Sequence, residues 1–478
     1  MTDLKMEKAG KFTYVIPRMG NMKVDVILFL SERIKVEDEA IKQITDAASI
    51  DEESIVLATP DIHTGYGVPI GSILVTPNFI SPSAVGYDIN CGMRLLTSPF
   101  EATEIDTETL AEGIARLIPL GEGKKNLKMG NREMRNILNR GLEEIEDLLE
   151  RFGLLENSEG RALLAEDIER TEDRGSLWGN AAKLPPTALE RGMPQMGTLG
   201  GGNHFIELQR VEEVFDTKRA SRLGLFQGQF TVMIHSGSRG LGHETAGFYM
   251  KKAKSYMARE NLIPPNGQLL YFKKDSPEAE DYLEAMNGAA NYAFANREVM
   301  AVLVRKALRD VLGKKYSSHL KTLYDVTHNI AKEETYGGKH YFVHRKGATR
   351  AYDARRMAGT PFEDIGQPVL IPGSMGTASY VLLGHSGSEK SFFSVNHGAG
   401  RVLSRKQAAG KKGKEGLISD RDFKRAMEGI YLICEDRRRI KEEAPQAYKD
   451  IDEVIEVVTG AGLALPVAKL KPIAVLKG

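Results

Sequence analysis

The sequence predicts a mixed α+β fold, with β-rich segments forming a core and helical segments around it. Apolar strand-like runs such as SIVLA and GSILVTP recur over most of the chain. Charged segments with apolar residues at a spacing of 3.6 separate these runs and are typical of amphipathic helices. Polar motifs rich in glycine are spread from residue 61 to residue 397. Since one site would then draw on most of the chain, we expect a single catalytic domain over residues 1–478.

Composition places the chain among ordinary globular proteins. Hydrophobic residues make up 41% and charged residues 27% of its 478 positions, which is close to average usage. Lys+Arg and Asp+Glu number 65 each, so any site for a polyanion must be a local patch. No apolar run approaches membrane-spanning length, and two cysteines do not build a disulfide framework. We therefore expect a cytoplasmic protein without a membrane anchor.

The first part of the chain alternates between strands and helices. Residues 11–30 alternate as strands do, and residues 34–48 have the spacing of a short amphipathic helix. Residues 54–96 predict a β-rich core that is interrupted by DIHTGYG and by a turn at Asp88. Residues 103–190 contain neither cysteine nor histidine, and they predict a helical module packed on that core.

The rest of the chain returns to strands on both sides of a helical region. GNHFIELQRV and GQFTVMIHSGSRG predict strands, and residues 243–312 predict helices. Strand-like runs follow in YFVHRKG, QPVLIPG, ASYVLLG and SFFSVNHG, and a basic helical stretch begins at Arg401. Cys434 lies in the apolar run IYLIC, which we interpret as an inert helical part of the core.

The stretch SPSAVGYDINCGMR is the strongest single indication of chemistry. Cys91 follows Asp88 by three positions, and glycines stand on both sides at Gly86 and Gly92. A strand would send residues i and i+3 to opposite faces, whereas a glycine-permitted turn brings them together. Convergence of a carboxylate and a thiol on one point suggests a metal site.

Four histidines share a setting that would present them as ligands. His204, His235, His328 and His397 lie beside glycine or asparagine near apolar segments. Any one of them alone is more often a hydrogen-bonded structural histidine, but the recurrence favours a site. With Asp88 and Cys91 they provide a set of N, S and O ligands that suits zinc as readily as manganese.

The segment GGGNHFIEL allows a more detailed interpretation. If a strand begins near Asn203, then Asn203, Phe205 and Glu207 point one way and His204 and Ile206 the other. His204 could then bind a metal while Asn203 and Glu207 face a second ligand. The alternative is a glycine-rich hairpin with a solvent-facing Glu207.

Three glycine- and serine-rich loops, at 235–242, 372–379 and 397–401, predict binding of phosphate groups. None matches a Walker A or a strand–GxGxxG–helix motif, so an ordinary nucleotide fold is not supported. Arg401 and Arg405 follow His397 at helical spacing, which would place them on one face beside it. A neutral His397 in such positive surroundings could attack phosphorus. A solvated helix face is the alternative for these arginines.

The motifs GYDINCGMR, GGGNHFIE, HSGSRGLG, DVTHN and SVNHGAGR, in this order, resemble the RtcB family of GTP-dependent RNA-splicing ligases. The terminal LKPIAVLKG is also similar to the end of that family. The resemblance extends from DIHTGYGVPIGS to the last residue and is weakest across 103–190. It implies a family-specific α+β fold with central β-sheets surrounded by helices and a di-metal site in a central cleft.

The resemblance also implies the roles of individual residues. Two manganese ions would share Cys91, with Asp88 and His204 completing one site and His235 and His328 the other. His397 would be the nucleophile that takes GMP from GTP. The resemblance implies guanylate contacts at Asn203, His204, Phe205, Ile206, Glu207, His328, Asn329, Pro372, Gly373, Ser374, Met375, Ser379, His397, Gly398, Ala399, Gly400 and Lys477. We expect RNA contacts at Arg239, Arg401 and Arg405.

The implied activity joins an RNA 3′-phosphate or 2′,3′-cyclic phosphate to a 5′-hydroxyl, through a histidine-guanylate and an RNA 3′-phosphate guanylate. Intron-containing tRNA halves are the expected substrate, and repair of broken RNA is a further expected role. Archease is the expected activating partner, and the protein is expected to be a monomer. Two other functions stay open. A metal-dependent phosphoesterase would act on RNA ends without GTP. A non-catalytic RNA-binding protein would not need Cys91 or the four histidines.

Overall fold

Two large β-sheets with helices packed on them form the centre of the protein. The computed structural model describes residues 6–155, 157–313, 316, 319–411, 414–436 and 439–478. The strands are β1 (Glu7–Gly10), β2 (Thr13–Ile16), β3 (Val26–Phe29), β4 (Ile55–His63), β5 (Ile70–Thr76), β6 (Phe79–Ile80), β7 (Gly92–Glu101), β8 (Phe205–Val214), β9 (Gln229–Ser236), β10 (Phe272–Lys273), β11 (Lys321–Thr327), β12 (Asn329–Tyr336), β13 (Lys339–Lys346), β14 (Ala348–Arg350), β15 (Pro368–Ile371), β16 (Ser379–Leu383), β17 (Ser394–Asn396), β18 (Gly410–Lys411), β19 (Lys414–Glu415), β20 (Tyr431–Cys434) and β21 (Leu465–Lys477). The predicted mixed α+β class is confirmed.

Most of the helices occur in two parts of the sequence, between β7 and β8 and between β9 and β11. They are α1 (Asp38–Ala47), α2 (Thr107–Leu117), α3 (Asn131–Arg140), α4 (Glu146–Arg151), α5 (Ser158–Glu169), α6 (Pro186–Gly192), α7 (Thr217–Leu223), α8 (Arg239–Arg259), α9 (Pro277–Leu312), α10 (Arg405–Ala409), α11 (Asp420–Ala426) and α12 (Ile451–Gly460). Among the described residues, no helix is both long and apolar enough to cross a lipid bilayer.

The two sheets differ in what they contribute to the site. One has the strand order β1-β2-β3-β4-β5-β13-β12, and the other has the order β11-β7-β9-β8-β21-β16-β15, with β20 added beside β21. In the second sheet, β11, β7, β9 and β8 are neighbours and run antiparallel. The C-terminal ends of β11 and β9 therefore lie at the same edge as the N-terminal ends of β7 and β8.

That shared edge explains why residues distant in sequence meet. Cys91 directly precedes β7, and His204 directly precedes β8. His235 is the penultimate residue of β9, and His328 directly follows β11. The registers pair Met93 with His235 and Phe205 with the same histidine. Strand pairing, rather than loop flexibility, thus sets the spacing of these four residues.

The eight-stranded sheet is buried on both faces, which fits the nearly continuous apolar run of β9. Ile234 packs into a hydrophobic cluster that also contains Ile114 and Ile137 of the predicted helical segment 103–190. Met233, one position earlier, packs into a cluster on the opposite face. The helical segment therefore covers one face of the sheet that carries the site.

Two local predictions are wrong. Cys434 is the last residue of a half-buried strand, β20, because its backbone pairs with β21. Residues 397–404 are not helical, so Arg401 and Arg405 do not share a helix face. Ser404 caps α10 by accepting from the Gln407 amide, and the helix begins only at Arg405. The predicted basic helix over 401–414 also falls partly outside the described residues.

Candidate active site

Asp88, Cys91, His204, His235 and His328 converge at the common sheet edge. The Cys91 Sγ lies 3.3 Å from His204 Nε2 and 3.2 Å from His235 Nε2. Asp88 Oδ2 lies 2.8 Å from His204 Nε2, and the Nε2 atoms of His235 and His328 are 3.2 Å apart. The five residues form two potential metal-ligand groups that share Cys91.

The predicted turn between Asp88 and Cys91 is present. The Cys91 amide donates to the Asp88 carbonyl at 3.1 Å, and Asn90 between them has a φ of 57°. Asparagine is one of the few residues besides glycine that adopts this left-handed conformation readily. The turn directs the carboxylate and the thiol to the same side.

Hydrogen bonds at the far ring nitrogens orient two of the histidines. His204 Nδ1 lies 3.1 Å from the Leu199 carbonyl, and His235 Nδ1 lies 3.1 Å from the Asn203 carbonyl. A carbonyl only accepts, so each Nδ1 carries a proton and each Nε2 is directed at the cluster. This is the arrangement in which histidine binds a metal through Nε2.

The donor set fits divalent transition metals. Burial and neighbouring histidines lower the pKa of His235 and of His328 well below the usual value, which favours neutral imidazoles with free lone pairs. The Nε2 atoms of His235 and His328 and the Cys91 sulfur lie close enough together to bind one cation. His328 Nδ1 is buried and has no hydrogen-bond partner among the described residues. Nitrogen, thiolate and carboxylate ligands together suit zinc or manganese.

Protonation of Cys91 and Asp88 is also linked to a cation. Burial and then Asp88 raise the pKa of the Cys91 thiol well above its usual value. Burial opposes ionisation of Asp88, but His204 lowers its pKa to about 2. A cation bound between these groups would stabilise both the Asp88 carboxylate and the Cys91 thiolate.

His397 is held by a buried carboxylate that the sequence analysis did not assign. Asp61 Oδ2 accepts from His397 Nδ1 at 2.7 Å, and Thr59 donates to Asp61 Oδ1 at 2.6 Å. Burial opposes ionisation of Asp61, but the hydrogen bond from His397 lowers its pKa overall. The only signal in the sequence was an aspartate within the apolar strand β4. The ring of His397 is partly exposed and lies 4.9 Å from that of His328.

A cavity of about 540 Å³ adjoins His397 and the shared cysteine. Its volume is in the range of small-molecule sites. It is lined by most of the predicted guanylate contacts, which are Asn203, Phe205, His328, Asn329, Pro372, Gly373, Ser374, Met375, His397, Gly398, Ala399, Gly400 and Lys477. Gly400 has a φ of 78°, and a Cβ there would lie 2.2 Å from the Asp61 carbonyl oxygen. Glycine is thus required where the loop passes the positioning aspartate.

Four predicted guanylate contacts, His204, Ile206, Glu207 and Ser379, are buried and do not line this cavity. Gln209 connects two of them, donating to Glu207 at 2.8 Å and to Ser379 at 3.2 Å. The alternative of a solvent-facing Glu207 is wrong. Burial raises the pKa of Glu207 to about 8.

The predicted RNA-contacting arginines differ in burial and in the number of hydrogen bonds that their guanidinium groups make within the protein. Arg401 donates to Tyr448 at 3.0 Å and to the Glu442 carbonyl at 2.6 Å, and its guanidinium is largely buried. Arg405 bonds Glu443 at 3.2 Å, but half of its side chain is exposed. Arg239 bonds the Thr198 hydroxyl at 3.2 Å. Arg405 and Arg239 are therefore better placed than Arg401 to contact a further ligand.

A second cavity, of about 910 Å³, opens on the Asp88 and His204 side. It shares Tyr87, Asp88, Asn203, Arg405, Glu443 and Lys477 with the first cavity. Arg239 lines it, as do Gly121 and Glu122 from the helical segment. That segment thus contributes directly to the wall of the site.

Buried charges behind the cluster support the ligand-bearing turns. Arg297 of α9 donates to the Asn90 carbonyl at 2.8 Å and the Ser236 carbonyl at 3.0 Å. Glu172 accepts from the Thr327 amide at 2.9 Å, next to His328. Each charge connects a helical element to a backbone segment that carries ligands. Sequence spacing contained no signal for either contact.

Comparison with known proteins gives a consistent result. Residues 43–478 match the family described as tRNA-splicing ligase RtcB. The chain is 38% identical to the tRNA-splicing ligase RtcB of Aeropyrum pernix, over 99% of this chain and 100% of that protein. It is 36% identical to the protein of that name from Archaeoglobus fulgidus, over 99% of both chains. It is 42% identical to the RNA-splicing ligase RtcB of Mycobacterium bovis, over 88% of this chain and 96% of that protein.

Proposed function

The chain belongs to the RtcB family, and from that premise we propose that it is a GTP-dependent RNA ligase. It joins RNA ends bearing a 3′-phosphate or a 2′,3′-cyclic phosphate to RNA ends bearing a 5′-hydroxyl. The observation that carries the proposal is the hydrogen bond between His397 and Asp61, at the wall of a cavity that is also lined by Cys91, His235 and His328.

His397 is the proposed nucleophile in the first step. Asp61 accepts from Nδ1, so the proton is held there and Nε2 is free to attack. Nε2 forms a bond to the α-phosphorus of GTP while the bond to the β-phosphate oxygen breaks and pyrophosphate leaves. Asp61 also stabilises the positive charge that develops on the ring.

In the later steps the guanylate moves to RNA. An RNA 3′-phosphate, produced from a cyclic phosphate by hydrolysis where necessary, attacks the histidine-bound phosphorus and releases His397. The 5′-hydroxyl of the second RNA then attacks the activated 3′-phosphate, and GMP leaves. The glycine- and serine-rich loops 372–379 and 397–401 supply backbone amides for these phosphates.

The two ligand groups that share Cys91 would hold two manganese ions, which when bound neutralise phosphate charge and polarise the reacting oxygens. His204 and His235 are oriented for this by the Leu199 and Asn203 carbonyls. Lys477 donates to the Gly202 carbonyl at 2.7 Å beside the cavity, where burial lowers the pKa of its amino group. Arg239 and Arg405 are the proposed RNA phosphate contacts. Arg401 has a structural role and stabilises the cavity wall beside them.

The proposal extends to the biological setting. The name tRNA-splicing ligase, which the relatives from Aeropyrum pernix and Archaeoglobus fulgidus carry, supports intron-containing tRNA halves as the RNA. RNA repair, an archease protein as activator, the cytoplasm as compartment and a monomeric state are further parts of the proposal. Ligation of tRNA halves with and without added archease tests the tRNA substrate and the activator.

The test is transfer of label from α-³²P-GTP in the presence of Mn²⁺, read on a denaturing gel. Wild-type protein should acquire an acid-labile label, and His397→Ala should not. His340→Ala is the matched control, because His340 is an exposed histidine outside the cavity. Label on His397→Ala would move the nucleophile to another histidine. No label on wild type, together with phosphate release from RNA ends, would establish the phosphoesterase instead.

A further inference from the structure

Three aromatic rings lie in a row where the two cavities meet. Tyr87 stacks on His243 with centroids 4.9 Å apart and planes inclined by 25°. Tyr66 contacts Tyr87 edge-on at 5.7 Å. Tyr66 lines the cavity of His397, His243 lines the second cavity, and Tyr87 lines both. The row therefore connects the two cavities.

Both rings of the stacked pair are exposed to solvent. Tyr87 is 36% exposed, and His243 is exposed at the start of α8. A Cβ at Gly247, one helical turn after His243, would lie 4.0 Å from the Tyr87 ring, which is an ordinary van der Waals distance. The Tyr87 ring therefore lies along the surface of α8 beside His243. Aromatic rings exposed beside a polar cleft are typical of sites that stack nucleobases.

The neighbours of the pair supply what a nucleotide requires besides a ring. Asp88 follows Tyr87 in the chain and belongs to the His204 ligand group. Arg239 lines the same cavity as His243, and its guanidinium bonds only neutral groups among the described residues. The residues of this wall therefore fit the parts of a nucleotide at an RNA end. The rings would stack on its base, Arg239 would bind its phosphate, and its reacting end would lie beside Asp88.

The cavity of His397 is already assigned to the guanylate in the proposed function, on which this inference rests. The other RNA chain must therefore reach the reacting phosphate from the second cavity. We propose that Tyr87 and His243 form a stacking platform for a base of the 5′-hydroxyl RNA, at or next to the nucleotide being joined. Because every base has an aromatic face, the platform holds the chain without reading its sequence.

The first measurement uses RNA with a 5′-hydroxyl and 2-aminopurine at nucleotide 1 or 2. Stacking quenches the probe, so binding to wild type should reduce its fluorescence, whereas 2-aminopurine eight nucleotides away should be unaffected. Tyr87→Phe keeps the ring and should keep the quenching. Tyr87→Ala should lose it. Phe248→Ala is the matched control, since Phe248 is an exposed aromatic of α8 that lines neither cavity.

The second measurement is steady-state ligation. Tyr87→Ala and His243→Ala should raise the KM for the 5′-hydroxyl RNA by roughly five- to 150-fold, the range for losing one base stack. Guanylate formation should fall much less than ligation. An abasic nucleotide at the stacked position should raise the KM of wild type but add little to that of Tyr87→Ala, because the partner ring is already absent.

Several results would overturn the platform. They are an unchanged KM for the 5′-hydroxyl RNA in both alanine variants, an equal abasic penalty in wild type and Tyr87→Ala, and a rise in the KM for GTP instead of RNA. Equal loss of guanylation and ligation would assign Tyr87 to support of the Asp88 turn. If wild type forms no guanylate, the proposed function fails, whereas the fluorescence assay still decides whether the platform binds RNA.

Discussion

Asp61 Oδ2 accepts a hydrogen bond from His397 Nδ1 at 2.7 Å across 336 positions of the chain. The carboxylate is buried and receives a second bond from Thr59. It therefore determines both the tautomer and the orientation of the ring that faces the cavity.

Asp61→Asn should slow guanylate formation by roughly 10²- to 10⁴-fold, because an amide can present its N–H to the ring and favour the wrong tautomer. Single-turnover transfer from α-³²P-GTP measures the rate. Binding of GTP to the variant should change far less, since His397 is still present. A guanylation rate within threefold of wild type would remove Asp61 from its positioning role.

Cys91→Ala should abolish binding of both metal ions, because Cys91 is the one residue common to both ligand groups. Mass spectrometry of manganese retained after desalting checks this against Cys434→Ala, which lies outside both groups. Two ions retained by Cys91→Ala would show that the two groups do not act as proposed.

Arg405→Ala should weaken RNA binding at every sequence and reduce the slope of log K against log salt by about 1, as expected for one lost phosphate contact. Arg401→Ala should instead lower thermal stability, since its guanidinium is bonded to Tyr448 and the Glu442 carbonyl. Fluorescence anisotropy over a salt series separates the two. Arg33→Ala, at an exposed arginine paired with Glu456, is the control. An unchanged salt slope in Arg405→Ala would exclude a direct phosphate contact.

Glu172→Ala should destabilise the protein by about 3–5 kcal/mol, because it leaves buried charges on Lys332 and Arg350 with less compensation. Denaturant unfolding measures the loss. Glu169→Ala removes an exposed ion pair with Arg174 and should cost at most about 1 kcal/mol. Similar losses in both variants would mean that the buried ion pairs of Glu172 do not attach the helical segment to β12 and β14.

Stability should fall as pH rises toward 8 through the titration of Glu207. Burial raises its pKa in the folded protein to about 8, whereas the unfolded chain titrates near 4.5. Between these values the folded state binds the additional proton, so raising the pH favours unfolding. Glu207→Gln should flatten this part of the profile. Unfolding of metal-free protein at pH 5, 7 and 9 provides the comparison, and identical profiles would contradict the assignment.

The sequence was informative wherever a property depends on neighbours along the chain. The mixed α+β class follows from periodicity, and the turn at Asp88 and Cys91 follows from their spacing and the flanking glycines. The order of five motifs was sufficient to recognise the RtcB family, which the comparisons confirm.

Contacts between distant segments were determined only by the tertiary structure. Asp61 and Glu172 occur in ordinary strand and turn sequences, and nothing beside them indicates a histidine 336 positions away or the amide next to His328. Local spacing also gave a wrong helix for Arg401, because its backbone bridges to Tyr448 instead. The physical reason is that strand pairing fixes which chain ends meet, and a buried charge is stable only where folding brings its partner.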